Sequence, residues 1–226
     1  PKSRVLIMNF PTNPTGGVVS AEDLAGIAKL CVQHDLIVIS DEIYSELRYD
    51  GVKHVSIGTL PGMRERTILL HGFSKAFAMT GFRLGYSCAP APLTEAMMKI
   101  HQYSMLCAPI TSQAAAAEAL DNGASAMMRM KESYHQRRDF VVSRLNEIGI
   151  ECHSPGGAFY VFPNISSTGL KSNEFEDRAL KEAGVALLSG SAFGKFGEGY
   201  VRLSYANSQE NIKIAIESLD KFITSL

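Results

Sequence analysis

The residues best suited to chemistry stand just after short apolar runs. Lys75 follows the run at 67–70, inside His71-Gly72-Phe73-Ser74-Lys75-Ala76-Phe77-Ala78-Met79-Thr80-Gly81-Phe82-Arg83, where other charges are nearly absent. An ammonium in such a setting is desolvated. Its pKa is expected to fall, and its neutral amine becomes a nucleophile toward a carbonyl carbon. Ser74 and Arg83 suit an anionic group, Arg83 through a bidentate fork. Asp41 closes the run Leu36-Ile37-Val38-Ile39-Ser40, and a carboxylate at the end of a buried strand is costly unless paired. Asn13 follows a further apolar run at 5–8, and Tyr44 stands three residues after Asp41. Each residue also has a plainer reading. Lys75 alone would be a solvated surface lysine, Asp41 a helix cap or structural ion pair, and Tyr44 an ordinary half-buried tyrosine.

The elements that must position these residues follow from the pattern. The apolar run at 5–8 reads as a buried parallel strand, and the Pro- and Gly-rich stretch at 9–17 as a loop. Ser20 and Asp23 have capping-box spacing ahead of a helix carrying Leu24, Ile27, Ala28 and Cys31. A second strand at 36–39 completes a βαβ unit, and strands are expected again at 67–70 and 83–88. Ligands of open α/β sheets bind beyond the carboxyl ends of such strands, which is where Asn13, Asp41 and Lys75 fall, with Arg83 opening the fourth. Helices are expected over 93–101, 110–120 and 124–148, the last with Met128, Tyr134, Phe140, Val141 and Leu145 as core residues. Later come strands at 158–162, 185–188 and 200–205 and helices at 173–183 and 209–223. A domain boundary is placed near 125–130, giving parts 1–125 and 126–226.

The bulk numbers agree with a globular chain. Its 226 residues are 46% hydrophobic and 20% charged, with a net charge of −1, so nucleic acid is not an expected partner. No apolar run reaches bilayer-spanning length, and no membrane partner or signal peptide is expected. Cys31, Cys88, Cys107 and Cys152 are scattered, which disfavours a disulfide framework or zinc site and suggests a reducing cytoplasm. The opening Pro1-Lys2-Ser3-Arg4, without an initiator methionine and running straight into a strand, reads as the middle of a longer protein.

Four motifs in order carry a family resemblance: Asn13-Pro14-Thr15-Gly16; Ser40-Asp41-Glu42-Ile43-Tyr44; Ser74-Lys75 with Ala78-Met79-Thr80-Gly81-Phe82-Arg83-Leu84-Gly85-Tyr86; and Tyr200-Val201-Arg202-Leu203-Ser204-Tyr205-Ala206. Together they resemble fold-type I pyridoxal-phosphate enzymes, specifically class I/II aminotransferases of the aspartate and aromatic type. The resemblance implies the C-terminal part of a large, mostly parallel-sheet, three-layer α/β/α domain that binds pyridoxal 5'-phosphate (1–125), then a small α+β domain (126–226). It implies transamination between an amino acid of aspartate or aromatic type and a 2-oxo acid, by a cytoplasmic homodimer, with residues 105–109 near the partner. By the same resemblance Lys75 forms the internal aldimine and later moves the proton as general base and acid. Asp41 pairs with the pyridine nitrogen, and Asn13 and Tyr44 bond the ring oxygen. Ser74 and Arg83 hold the phosphate. Arg202 clamps the substrate carboxylate, with Asn13 beside it.

Two departures accompany the resemblance. The family often has a small hydroxyl residue three positions before the lysine, and here that residue is Gly72. The family's N-terminal half, with its phosphate-binding turn and ring-stacking aromatic, has no counterpart, so the fragment alone is expected to be inactive. Two other readings stay open: a lyase-type reaction on the same scaffold, and an aminotransferase-like ligand-sensing domain of a transcriptional regulator.

The glycine-rich segment 190–199 lacks the context of a P-loop and reads as a tight connection. His71, His101 and His135 have no metal-ligand spacing, so no metal is expected, though His71 is close enough to Lys75 to line the site. Met97, Met98, Met105, Met127, Met128 and Met130 read as helix packing.

Overall fold

The computed structural model describes residues 2–226, so Pro1 lies outside the described part. The chain forms two compact units. Among the described residues the first comprises 2–11 and 18–131, and the second 12–17 and 132–226.

In the first unit β1 (Val5–Asn9) leads through 9–17 to α1 (Ala21–Gln33), then β2 (Ile37–Asp41) and β3 (Thr67–Gly72). The Ser20 hydroxyl accepts the Asp23 N–H at 3.0 Å and so opens α1, as the capping box predicts. β1, β2 and β3 are parallel, with Asn9 opposite Asp41 and Asp41 opposite Leu70. Met8, Leu24, Ala28, Cys31, Val38 and Met63 form the core between α1 and the sheet. The one-turn helix α2 (Phe73–Ala76) follows β3, and β4 (Gly85–Cys88) completes a sheet of order β1-β2-β3-β4.

Here one expectation is corrected. The apolar pattern suggests a fourth parallel strand, but β4 runs antiparallel to β3, with Gly72 opposite Gly85. Residues 73–84 form only α2 and a 3-10 turn. That is too little chain to return to the other end of the sheet, as a parallel crossover requires. The sheet remains parallel-rich within an α/β arrangement.

α3 (Ala91–Ser104), α4 (Ile110–Asn122) and α5 (Ala124–Glu147) follow, with α5 running from the first unit into the second. Two further expectations fail here. Met128 is exposed, and so are Met98 and Met105, so these methionines do not pack in the core. The buried charged residue on α5 is Arg138, which donates to the Pro155 carbonyl at 3.2 Å.

The second unit is α+β. β5 (Tyr160–Val161), β6 (Leu188–Ser189) and β7 (Val201–Ser204) form an antiparallel sheet of order β5-β7-β6, with α6 (Ser172–Ala183) and α7 (Gln209–Thr224) beside it. On α7, Ile212, Ile216, Leu219 and Phe222 recur at helical spacing and are buried. Phe222 meets Phe175 of α6 edge-on at 5.5 Å. Truncating either ring would cost about 3–5 kcal/mol. β6 begins later than its apolar run suggests, because the Val185 N–H closes α6 by bonding the Ala179 carbonyl. The glycine-rich segment folds as two short 3-10 turns ahead of β7. Among the described residues no helix is long and apolar enough to cross a membrane.

Candidate active site

Each unit gathers part of the residue set. In the first, β2 ends at Asp41, whose Oδ1 accepts the Ile43 N–H at 3.1 Å. This Asx turn bends the chain at once and sets the side-chain rotamer. The Leu47 N–H bonds the Tyr44 carbonyl at 2.9 Å, and Tyr44 is buried. Lys75 sits on α2, directly after the neighbouring strand. Its half-buried side chain places Nζ 5.8 Å from the centre of the Tyr44 ring. Adjacent strand ends thus bring an amine and a phenol together.

Ser74 is half-buried on α2. Arg83 ends the 3-10 turn with φ 52°, is exposed, and donates from Nη1 to the Thr80 carbonyl at 2.9 Å. Ser112 of α4 fixes the same turn by donating to the Phe82 carbonyl at 2.7 Å. Gly72 has a steric reason for its identity. A Cβ there would lie 3.0 Å from Gly85 Cα and 3.1 Å from the Leu84 carbonyl, so a hydroxyl residue would require β4 to shift.

Sequence reasoning missed a polar network behind Asp41. Glu42 is buried, and its Oε1 accepts from Ser40 Oγ at 2.9 Å and Ser56 Oγ at 2.8 Å. Its Oε2 meets His54 Nε2 at 2.5 Å. Burial pushes the Glu42 carboxyl up, but the hydrogen bonds from His54, Ser56 and Ser40 together with the charge of His54 outweigh it and hold it below the ordinary carboxylate range. Arg48, also buried, lies 3.3 Å from His54 Nδ1. The one signal in the sequence is the cost of a charged Glu42 at a buried strand end, which demands a partner. No periodicity names His54 as that partner.

His71, at the end of β3, accepts the Gly72 N–H on Nδ1 at 2.7 Å and meets Ser45 Oγ through Nε2 at 2.8 Å. Burial pushes its pKa down despite Glu46 and Glu42, so the ring is neutral near pH 7, with its proton on Nε2.

In the second unit Arg202 of β7 donates from Nη1 to Asn13 Oδ1 at 2.8 Å. Its guanidinium carbon lies 4.5 Å from the centre of the Tyr160 ring and 5.1 Å from that of Phe193. The sequence places Asn13 beside the parallel strand ends, but segment 12–17 belongs to the second unit. The Gly157 N–H bonds the Gly16 carbonyl at 3.0 Å. Gly16 has φ +66°, and a Cβ there would lie 2.3 Å from Pro155 Cβ. Only glycine allows that approach, and it carries Asn13 to Arg202.

Comparison with known proteins shows the family. The family model described as Aminotransferase class I and II matches residues 1–219. The chain belongs to this family. The match spans the first-unit cluster and the Asn13–Arg202 pair alike. This aminotransferase-family chain is 50% identical over 224 residues to an aspartate aminotransferase of Pyrococcus abyssi, covering 98% of the chain and 58% of the relative. It is 48% identical over 225 residues to aromatic-amino-acid aminotransferase 2 of Thermococcus litoralis, covering 99% of the chain and 58% of the relative. The solved structure of an aromatic aminotransferase from Pyrococcus horikoshii superposes with a TM-score of 0.96 at 49% identity, covering 99% of this chain and 60% of that one. The chain therefore spans less than two thirds of the length of these relatives. Among its described residues no group of three or more His, Cys, Asp or Glu could hold a metal ion.

Proposed function

We propose that the chain carries the lysine-bearing part of a pyridoxal-phosphate-dependent aminotransferase that moves an amino group between an amino acid of aspartate or aromatic type and a 2-oxo acid. The observation that carries this reading is Lys75 Nζ held 5.8 Å from the Tyr44 ring centre at the ends of adjacent strands, with Asp41 closing one of them. The donor set fits the cofactor: an amine for its aldehyde carbon, a carboxylate for its ring nitrogen, a phenol and an amide for its ring oxygen, and a hydroxyl and a guanidinium for its phosphate.

When bound, pyridoxal phosphate supplies an electron sink for the pair left at the substrate Cα. Lys75 holds the cofactor covalently at rest. With the substrate in place, its freed amine would carry the proton from the substrate Cα to the cofactor carbon, as general base and then general acid. Asp41 would pair with the ring nitrogen and favour its protonated form. Tyr44 and Asn13 would donate toward the ring oxygen, and Ser74 and Arg83 would bind the phosphate. Arg202 would receive the substrate carboxylate on its fork, beside the Tyr160 and Phe193 rings. The enzyme works as a cytoplasmic homodimer. In support, Tyr103, Met105, Leu106 and Ile110 form an exposed apolar stretch around residues 105–109.

The test is to add pyridoxal phosphate to the natural protein at its full length, reduce with borohydride and map the modified peptide. Lys75 is expected to carry the label. Labelling elsewhere with Lys75 untouched overturns the assignment. A panel of amino donors then fixes the substrate. Residues 1–226 alone are expected to bind the cofactor weakly and to show no turnover.

A further inference from the structure

The Glu42 network lies next to Asp41, yet the chemistry above uses none of it. A carboxylate only accepts, so His54 Nε2 donates to Glu42 Oε2, while His54 Nδ1 lies 3.3 Å from Arg48 Nη1. The His54 ring thus links the buried Arg48 guanidinium to the buried Glu42 carboxylate. Three donors on one carboxylate select a single rotamer for Glu42. Asp41 and Glu42 are consecutive at a strand end, where successive side chains point to opposite faces. Fixing Glu42 therefore fixes the backbone from which Asp41 projects. The same turn carries Tyr44: the Glu42 N–H bonds the Leu70 carbonyl at 2.9 Å, and the Ser45 N–H bonds the Glu42 carbonyl at 2.9 Å. Ser45 ties the far side of the turn to His71, four residues before Lys75.

We propose that Glu42 and His54 are positioning residues: their buried hydrogen-bonded pair fixes turn 41–47 and, through it, the direction of the Asp41 carboxylate and the Tyr44 hydroxyl. What those two groups contact rests on the cofactor reading above, whereas the holding of the turn does not. A displacement of about 1 Å in a reacting group can cost on the order of a hundredfold in rate, so a turn that carries two such groups needs an anchor of this kind.

The test compares His54→Leu, which removes the donor to Glu42, with His54→Gln, which keeps an N–H donor of similar reach, in the natural protein at its full length. Two measurements are made. One is amide hydrogen exchange at Ile43, Ser45 and Leu47 without cofactor. The other is the pH titration of the visible absorption after loading with pyridoxal phosphate. His54→Leu is expected to speed exchange at the three amides roughly tenfold, to move the titration midpoint, and to lower kcat roughly tenfold with little change in KM. His54→Gln is expected to restore all three toward the native values. If His54→Leu does not fold, Glu42→Gln is read by the same measurements with the same expectation. Native exchange at 43, 45 and 47 in the folded variant overturns the proposal, even if its melting temperature falls. A wild-type protein that never binds the cofactor at Lys75 would sink the cofactor reading instead, and the exchange measurement would still decide the role of the pair.

Discussion

Arg202 and Asn13, 189 positions apart in the chain, are joined by a 2.8 Å hydrogen bond from Nη1 to Oδ1. The bond occupies one Nη1 proton and orients the guanidinium plane. A hydrogen bond to a charged group contributes about 1.5–3 kcal/mol. Asn13→Ala is therefore expected to weaken carboxylate binding by roughly tenfold to a hundredfold. Arg202→Lys is expected to lose at least as much, because a point charge cannot replace the fork. Steady-state kinetics on the full-length protein check both through the rise in KM for the amino donor. An unchanged KM in Arg202→Lys would remove Arg202 from substrate binding.

The same pair depends on Gly16. Its φ of +66°, and the 2.3 Å that would separate an added Cβ from Pro155, leave no room for a side chain. Strain of this kind costs about 1–3 kcal/mol before the clash is added. Gly16→Ala is expected to lower the urea midpoint and to raise KM in the same direction as Asn13→Ala. A stable Gly16→Ala protein with native KM would mean that segment 12–17 can repack without moving Asn13.

Much of this arrangement is legible in the sequence because it is local. Ser20 and Asp23 declare α1, Gly184 ends α6, and the apolar runs before Asp41 and Lys75 mark β2 and β3. What stays hidden depends on contacts between residues distant in sequence. The reversal of β4 follows from how residues 73–84 fold, not from their apolar pattern. The exposure of Met128 and burial of Arg138 follow from which face of α5 meets the core. His54 reaches Glu42 across a loop with no regular period. Asn13 reads as a residue after β1, and only the close approach of Gly16 to residues 155–157 assigns it to Arg202.

The four cysteines divide by environment. Burial pushes the Cys152 thiol up to about 12. It also raises Cys31, partly offset by the Arg66 charge, while Cys88 and Cys107 are exposed. The thiolate is the reactive form. At about pH 8 a disulfide reagent is expected to modify Cys88 of the folded chain quickly, Cys107 only where residues 105–109 are not covered by a partner, and Cys31 and Cys152 only on unfolding. Rapid modification of Cys152 under native conditions would contradict its buried position in the second unit.

Glu42 predicts the acid limb of stability. Its folded pKa lies below its unfolded value, so it favours the folded state fully above the unfolded carboxyl value of about 4.3, and that contribution disappears as pH falls through the folded pKa. Glu147 and Glu182 are also lowered, Glu147 by Ser143 and Arg144 and Glu182 by Arg178, but both are exposed and solvent screens them. Thermal unfolding followed from about pH 7 to pH 3 is therefore expected to show a midpoint that drops below about pH 4. Glu42→Gln should start from a lower midpoint at neutral pH and lose less on acidification, because it has no charge to titrate. Glu147→Gln and Glu182→Gln should track the wild type. An acid slope that Glu42→Gln leaves unaltered would show that other carboxylates set the limb, and that the three donors around Glu42 do not hold its charge as the geometry requires.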